Sequence, residues 1–138
     1  MYRNDHGFTE AKGRVESADA DKNLSREDRS ALERLLWVME TLRGIKPNMP
    51  VHMVSAFIRV AIKEGKSVQE LTKDAGVVQS VMSRCLLDLG PRDRSGGPGL
   101  GLVEHKLSPM NFKEREIMLT RKGVALARKI AGMLAQRK

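Results

Sequence analysis

The stretch Gly65–Leu89, GKSVQELTKDAGVVQSVMSRCLLDL, constrains the fold more than any other part of the chain. It reads as two short helices joined by a tight turn. Ser67 is placed to cap the first helix by offering its hydroxyl to free backbone N–H groups, and Glu70 completes a capping box three residues on. Leu71 and Ala75 then lie one turn apart on an inner face. Gly76 follows where helices often end in a positive φ, which glycine adopts without Cβ strain. A second helix starts near Val78, and its Met82, Cys85, Leu86 and Leu89 recur as one apolar stripe. The opposite side carries Gln79, Ser80, Ser83 and Arg84, polar groups suited to contacting base edges or phosphates. A solvated helical hairpin would show the same pattern, and the chain beyond Leu89 separates the two readings. GLVEHKL over Gly101–Leu107 and EIMLT ending at Thr120 read as two short strands around a basic turn. That is where a winged helix carries its wing.

Leu71, Gly76-Val77, Ser83-Arg84, Leu89, Gly101-Leu102-Val103 and Leu119-Thr120 with Gly123 keep a characteristic order and spacing. In this the chain resembles the winged-helix regulators of the multiple-antibiotic-resistance-regulator (MarR) class, from roughly Met49 to Gly123. The resemblance implies a dimeric DNA-binding protein with a recognition helix beginning near Val78 and a wing tip near Asn111–Arg115. Three departures stand out. Val78 replaces the usual hydroxyl cap of the recognition helix. The acidic-plus-double-arginine wing signature is reduced to Asn111-Phe112-Lys113, with Arg115 close behind. An extra piece, PRDRSGGPG, separates recognition helix from wing.

Charge supports a polyanionic partner. The chain of 138 residues has a net charge of +8 and a pI of about 10.0. Residues 1–24 hold four basic against five acidic side chains, whereas residues 84–138 hold twelve against five. The excess therefore sits in the recognition helix, wing and tail. A single cysteine excludes an intrachain disulfide and any multi-cysteine metal site. No Ser/His/Asp set, carboxylate pair or ligand cluster marks a catalytic centre, so neither an enzyme, a cofactor nor a metal is expected. No apolar run is long enough to span a bilayer, and the N-terminus lacks a signal-peptide core. The expected location is cytoplasmic, associated with the nucleoid, with no membrane partner.

Taken in order, residues 1–24 show no period and read as a loosely ordered arm, followed by one domain over 25–138. Ser25 opens a helix to about Arg43 with a broad apolar face: Ala31, Leu32, Leu35, Leu36, Met39 and Leu42, widened by Trp37 and Val38. This exceeds what a small core needs and predicts a subunit interface. Pro50 is placed as the first residue of the next helix, with Val51, Val54, Phe57, Ile58, Ala61 and Ile62 inward and His52 and Arg59 outward. Cys85 reads as a small core hydrophobe. Leu87 points away from the core stripe, and the Gly90–Leu100 loop is expected to fold over it. That loop reads as flexible, carrying Arg92 and Arg94 towards a DNA backbone. Thr120 caps a last helix whose Val124, Leu126, Ala127, Ile130, Ala131 and Leu134 form an apolar side. Gly123 and Gly132 weaken it by about 1 kcal/mol each.

The expected fold is mainly α: a winged helix-turn-helix, with a three-helix core plus a two-stranded wing, flanked by N- and C-terminal dimerisation helices. Leu32, Leu35, Trp37, Ile130 and Leu134 are the candidate dimer contacts. Gln79, Ser80, Ser83, Arg84, Arg92, Arg94, Lys113 and Arg115 are the candidate DNA contacts. The expected function is a sequence-specific regulator of transcription that binds double-stranded DNA as a homodimer. Nothing in the sequence indicates a small-molecule effector. The competing reading is a winged helix put to other use, as a DNA-architectural or replication-accessory protein or a protein-interaction module.

Overall fold

The computed structural model describes residues 22–108, 110 and 114–135. The arm expected over 1–24 therefore lies outside the described residues except for its last three, and Lys113 lies outside them too.

The first helix, α1 (Arg26–Ile45), opens on the expected cap. The Ser25 hydroxyl accepts from the Asp28 amide at 2.9 Å, while Asp28 Oδ2 accepts from the Ser25 amide at 3.1 Å. The helix runs through Gly44 rather than stopping before it. Helix α2 (Val51–Ile62) has Pro50 as its cap residue, one place earlier than expected. Helices α3 (Val68–Ala75) and α4 (Gln79–Leu89) form the helix-turn-helix. The Ser67–Glu70 capping box closes reciprocally, at 3.1 and 2.9 Å, and Gly76 ends α3 at φ 70°. Strands β1 (Val103–Leu107) and β2 (Arg115–Leu119) pair antiparallel, with Val103 opposite Leu119 and His105 opposite Ile117. Helix α5 (Arg121–Ala135) follows at once and lies against α1.

The core is aliphatic, built around Phe57, Met53, Leu71, Leu86, Leu89, Leu102, Val103 and Ile117. The inner face of α2 differs from expectation. Met53, Ala56, Phe57 and Val60 are buried, whereas Val51 is 77% exposed and Ile62 79%. The reason lies in α2's neighbours: it touches α3, α4, α5 and β2. A helix walled in on several sides is apolar almost all round, so periodicity alone does not select its inward stripe. An unanticipated isolated bridge joins the wing. Ile117 accepts from the Gly65 amide and donates to the Lys66 carbonyl, both at 2.9 Å, so the corner between α2 and α3 bridges to β2.

Gly123 is present for close approach. A Cβ there would stand 2.1 Å from the Leu102 carbonyl oxygen. The junction is tight because Thr120 donates its amide to that same carbonyl at 3.0 Å and its hydroxyl to the Gly101 carbonyl at 2.6 Å. The Thr120 hydroxyl also accepts from the Gly123 amide at 3.0 Å, capping α5. Gly132, by contrast, has nothing within 4 Å of its Cβ position. The two glycines should therefore respond oppositely to alanine. Gly123→Ala is expected to destabilise by roughly 1–3 kcal/mol through overpacking. Gly132→Ala should stabilise by roughly 0.5–1 kcal/mol by restricting the unfolded helix backbone. Urea unfolding of both variants checks the sign, and a loss at Gly132 would mean that its surface is occupied in solution.

Candidate nucleic-acid interface

The inner stripe of α4 behaves as the periodicity requires. Met82, Leu86 and Leu89 are buried and Cys85 is half-buried. This turns Gln79, Ser80 and Arg84 to solvent, with Ser83 half-buried at the edge of that face. None of the four makes a hydrogen bond or ion pair with another side chain among the described residues. Their polar groups are free for a ligand. Val78, 62% exposed, caps α4 without a side-chain hydrogen bond. The first-turn amides of α4 thus lack a side-chain acceptor, and the positive end of the helix dipole meets solvent beside Gln79 and Ser80.

Leu87 shares this outer face, one turn beyond Ser83 and two beyond Ser80, and remains 43% exposed. The loop after α4 does not fold over it, contrary to expectation. Instead the loop forms its own closed hairpin. Gly101 donates to the Gly90 carbonyl and Gly99 to the Pro91 carbonyl, both at 2.9 Å, and Arg92 bridges to Pro98. At the tip, Asp93 Oδ1 accepts from the Ser95 hydroxyl at 2.8 Å, the Ser95 amide at 3.0 Å and the Gly97 amide at 2.9 Å. The segment is closed by its own hydrogen bonds rather than by contact with Leu87. Gly99 is obligatory there, because a Cβ would stand 2.1 Å from the Gly90 carbonyl oxygen.

The hairpin borders a cleft of about 360 Å³ beside Lys46, at the end of α1, and Met53 of α2. Within it, Arg94 turns back to α4: its Nε lies 3.9 Å from Asp88 Oδ2, and its amide donates to Asp88 Oδ1 at 3.4 Å. This occupies the Asp88 carboxylate, the nearest candidate partner for Arg84 on α4. Arg92 is exposed.

On the wing, Arg115 is exposed at the start of β2, opposite Leu107. Burial, then the neighbouring Arg115 charge, lowers the pKa of His105 below the ordinary histidine value. Lys106, exposed on β1 and 3.7 Å from Glu104, extends the basic wing surface and was not singled out from the sequence. Its place in an alternating strand was the available signal. Elsewhere on the surface, Leu32, Leu35, Leu36, Trp37 and Met39 of α1 are exposed, with Leu134 of α5. Ile130 turns inward and is buried in the chain's own core, which leaves Leu134 as the exposed apolar contribution of α5.

No family model and no curated protein matches the sequence. Solved structures do match. The transcriptional repressor CouR, bound to a 23-mer DNA duplex, superposes with a TM-score of 0.54 at 20% identity, over 79% of this chain and 70% of that one. A MarR transcriptional regulator from Methanosarcina mazei Go1 gives 0.55 at 11% identity, over 76% and 68% of the two chains. Wild-type apo MarR from E. coli gives 0.53 at 16% identity, over 83% and 80%. The fold is that of the MarR-type winged-helix regulators.

The carboxylate at the hairpin tip gives a pH test. Donation from the Ser95 hydroxyl, and then from the Ser95 and Gly97 amides, holds Asp93 below the ordinary carboxylate range. A lowered folded pKa means that the ionised form stabilises the turn above the unfolded value, with the benefit lost as pH falls through the folded value. Protection of the Gly97 amide against hydrogen exchange, corrected for intrinsic rate, should hold through neutral pH and fall only below the ordinary carboxylate range. Asp93→Ala should abolish that protection at neutral pH. Unchanged protection in the variant would show that the turn is held by its backbone alone.

Proposed function

We propose that the chain is a DNA-binding regulator of transcription that acts as a homodimer, with α4 in the major groove and the basic wing on the backbone or minor groove. The observation that carries this reading is the outer face of α4: Gln79, Ser80, Ser83 and Arg84, free of internal partners beside an uncapped helix start. The same architecture in a repressor bound to a DNA duplex supports it. Lys and Arg would neutralise phosphates and release counterions, giving affinity without sequence preference. Arg84 would read guanine and Gln79 adenine. Arg115 and Lys113 would contact the wing-side groove, and Arg92 and Arg94 the flanking backbone. Arg94 would first have to leave Asp88, a long pair at 3.9 Å with its arginine exposed.

Arg84 and Arg115 carry the same charge with different proposed roles. Arg84→Ala should lose about 1–3 kcal/mol on the preferred site and much less on random duplex. Arg115→Ala should weaken both nearly equally and flatten the log–log salt slope by about one. Titration against a selected site and a scrambled duplex checks both. Equal losses for Arg84→Ala would demote it to a phosphate contact. A specific-to-random affinity ratio below ~10³ would favour an architectural role over regulation.

The homodimer reading rests on the exposed row Leu32, Leu35, Leu36 and Met39, flanked by Trp37 and joined by Leu134. Few monomers leave such a contiguous apolar surface in water. Sedimentation equilibrium at micromolar concentration should return a dimer for the native chain and a monomer for Leu36→Glu. A native chain that sediments at 15.4 kDa throughout would remove this part of the reading.

A further inference from the structure

The wing carries as many acids as bases. Over residues 103–119, Glu104, Glu114 and Glu116 stand against Lys106, Lys113 and Arg115. A segment whose charges balance gains little from counterion release, so most of its hold on a polyanion must have another source. What the wing exposes in excess is apolar. Met110 is 91% exposed, more than any other large apolar side chain among the described residues, and Leu107 is 54% exposed. The turn that carries them is anchored. Ser108, itself buried, donates its amide to the Glu114 carbonyl at 2.9 Å and closes the hairpin. Its hydroxyl accepts from the Met110 amide at 3.2 Å. Apolar groups scattered singly are ordinary on a surface, whereas two at the end of one hairpin, beside a buried serine, form a patch.

The strand gives the patch a direction. Val103, His105 and Leu107 alternate onto one face of β1. Val103 packs in the core with Leu86 and Leu89 of α4, and the His105 ring is hydrogen-bonded to the Leu86 backbone. Leu107 therefore prolongs the side of the wing that meets α4, past the point where the core ends. With α4 in a major groove, the wing meets the adjoining minor groove. Met and Leu are among the side chains that minor-groove proteins drive between base steps, unstacking them and kinking the duplex. The unbranched thioether of Met also adapts to an irregular gap. We propose that the wing is such a wedge: Met110 enters a base step from the minor groove and kinks the duplex, with Leu107 against the adjoining deoxyribose. The inference rests on the DNA-binding reading and deepens it. Pyrimidine–purine steps such as TA unstack most easily, so the wedge selects sequence at a position that no hydrogen bond reads. An anionic lipid surface is a poorer partner, because a tip of balanced charge is not drawn to it.

The experiment uses the full chain and a duplex that it selects from a random pool, with a dye at each end to read bending by energy transfer. A second series of the same duplex carries 2-aminopurine at successive positions flanking the bases that face α4, where emission rises on unstacking. The native chain should bend the duplex by at least about 20° and raise emission roughly twofold or more at one step. Met110→Ala should remove both the bend and the emission rise. It should weaken binding only about threefold to tenfold, because burial of the thioether is largely offset by unstacking. Met110→Leu should keep both signals, since leucine also serves as a wedge. The unstacked step should be pyrimidine–purine, and replacing it by AA should weaken the native chain about as much as Met110→Ala does while leaving that variant nearly unchanged. The proposal is overturned if the native chain binds with neither bend nor emission rise, or if Met110→Ala matches the native chain in both. Either result, with saturable and salt-dependent binding intact, leaves the DNA-binding reading standing. A chain that binds no duplex at all would remove both.

Discussion

The pairing of Ile117 with the Gly65–Lys66 corner holds the two halves of the molecule in one frame. A two-stranded hairpin alone is marginal in water. Here β2 gains a second neighbour, and the Glu64 carboxylate adds a bond from the Leu119 amide at 2.8 Å. The corner that receives these bonds is where α2 ends and α3 begins. The wing is therefore tied through backbone to the start of the helix-turn-helix, and not only through the chain leaving α4. Any surface that uses α4 and the wing together inherits its geometry from this junction.

From that frame the core closes with few large groups. Leu86 and Leu89 on α4 meet Leu102 and Val103 at the start of β1, and the Leu102 amide donates to the Leu89 carbonyl at 2.7 Å. Leu102 is thus a hub. Its side chain is buried, its amide is bound to the end of α4, and its carbonyl receives Thr120 and abuts Gly123. With so few aromatics, shape complementarity comes from aliphatic chains and from close backbone contact, and glycine sets how close that contact can be.

Legibility in the sequence tracked the range of the forces. The Ser67–Glu70 box, the Gly76 cap, the α4 stripe and the Thr120 cap are settled within a turn or two of chain, and each was readable. The strand ends were readable to within one or two residues, in line with the usual uncertainty of element ends. The face of α2 was not, because four neighbours compete for it and only α3 follows it directly in sequence. Gly123 looked like a helix weakness because the Leu102 carbonyl that requires it lies on another element. The hairpin after α4 looked loose because glycine and proline signal turns without saying whether the turns close on one another. Within the candidate interface, the residues of α4 were legible from period and polarity. Arg59 was misplaced outward because a charged residue on a helix is ordinarily solvated, and only the packed structure buries its Nε.

The hairpin over Gly90–Gly101 also separates two kinds of sequence freedom. Its base is locked by the amides of Gly99, Gly101 and Leu102, and the backbone beside Gly99 admits no side chain. Its tip at Ser95-Gly96 is exposed. Lengthening a loop whose ends are already fixed adds entropy only logarithmically with length. The tip is thus a natural insertion point: added residues there would extend outward while the course of the chain from α4 into β1 stays as it is.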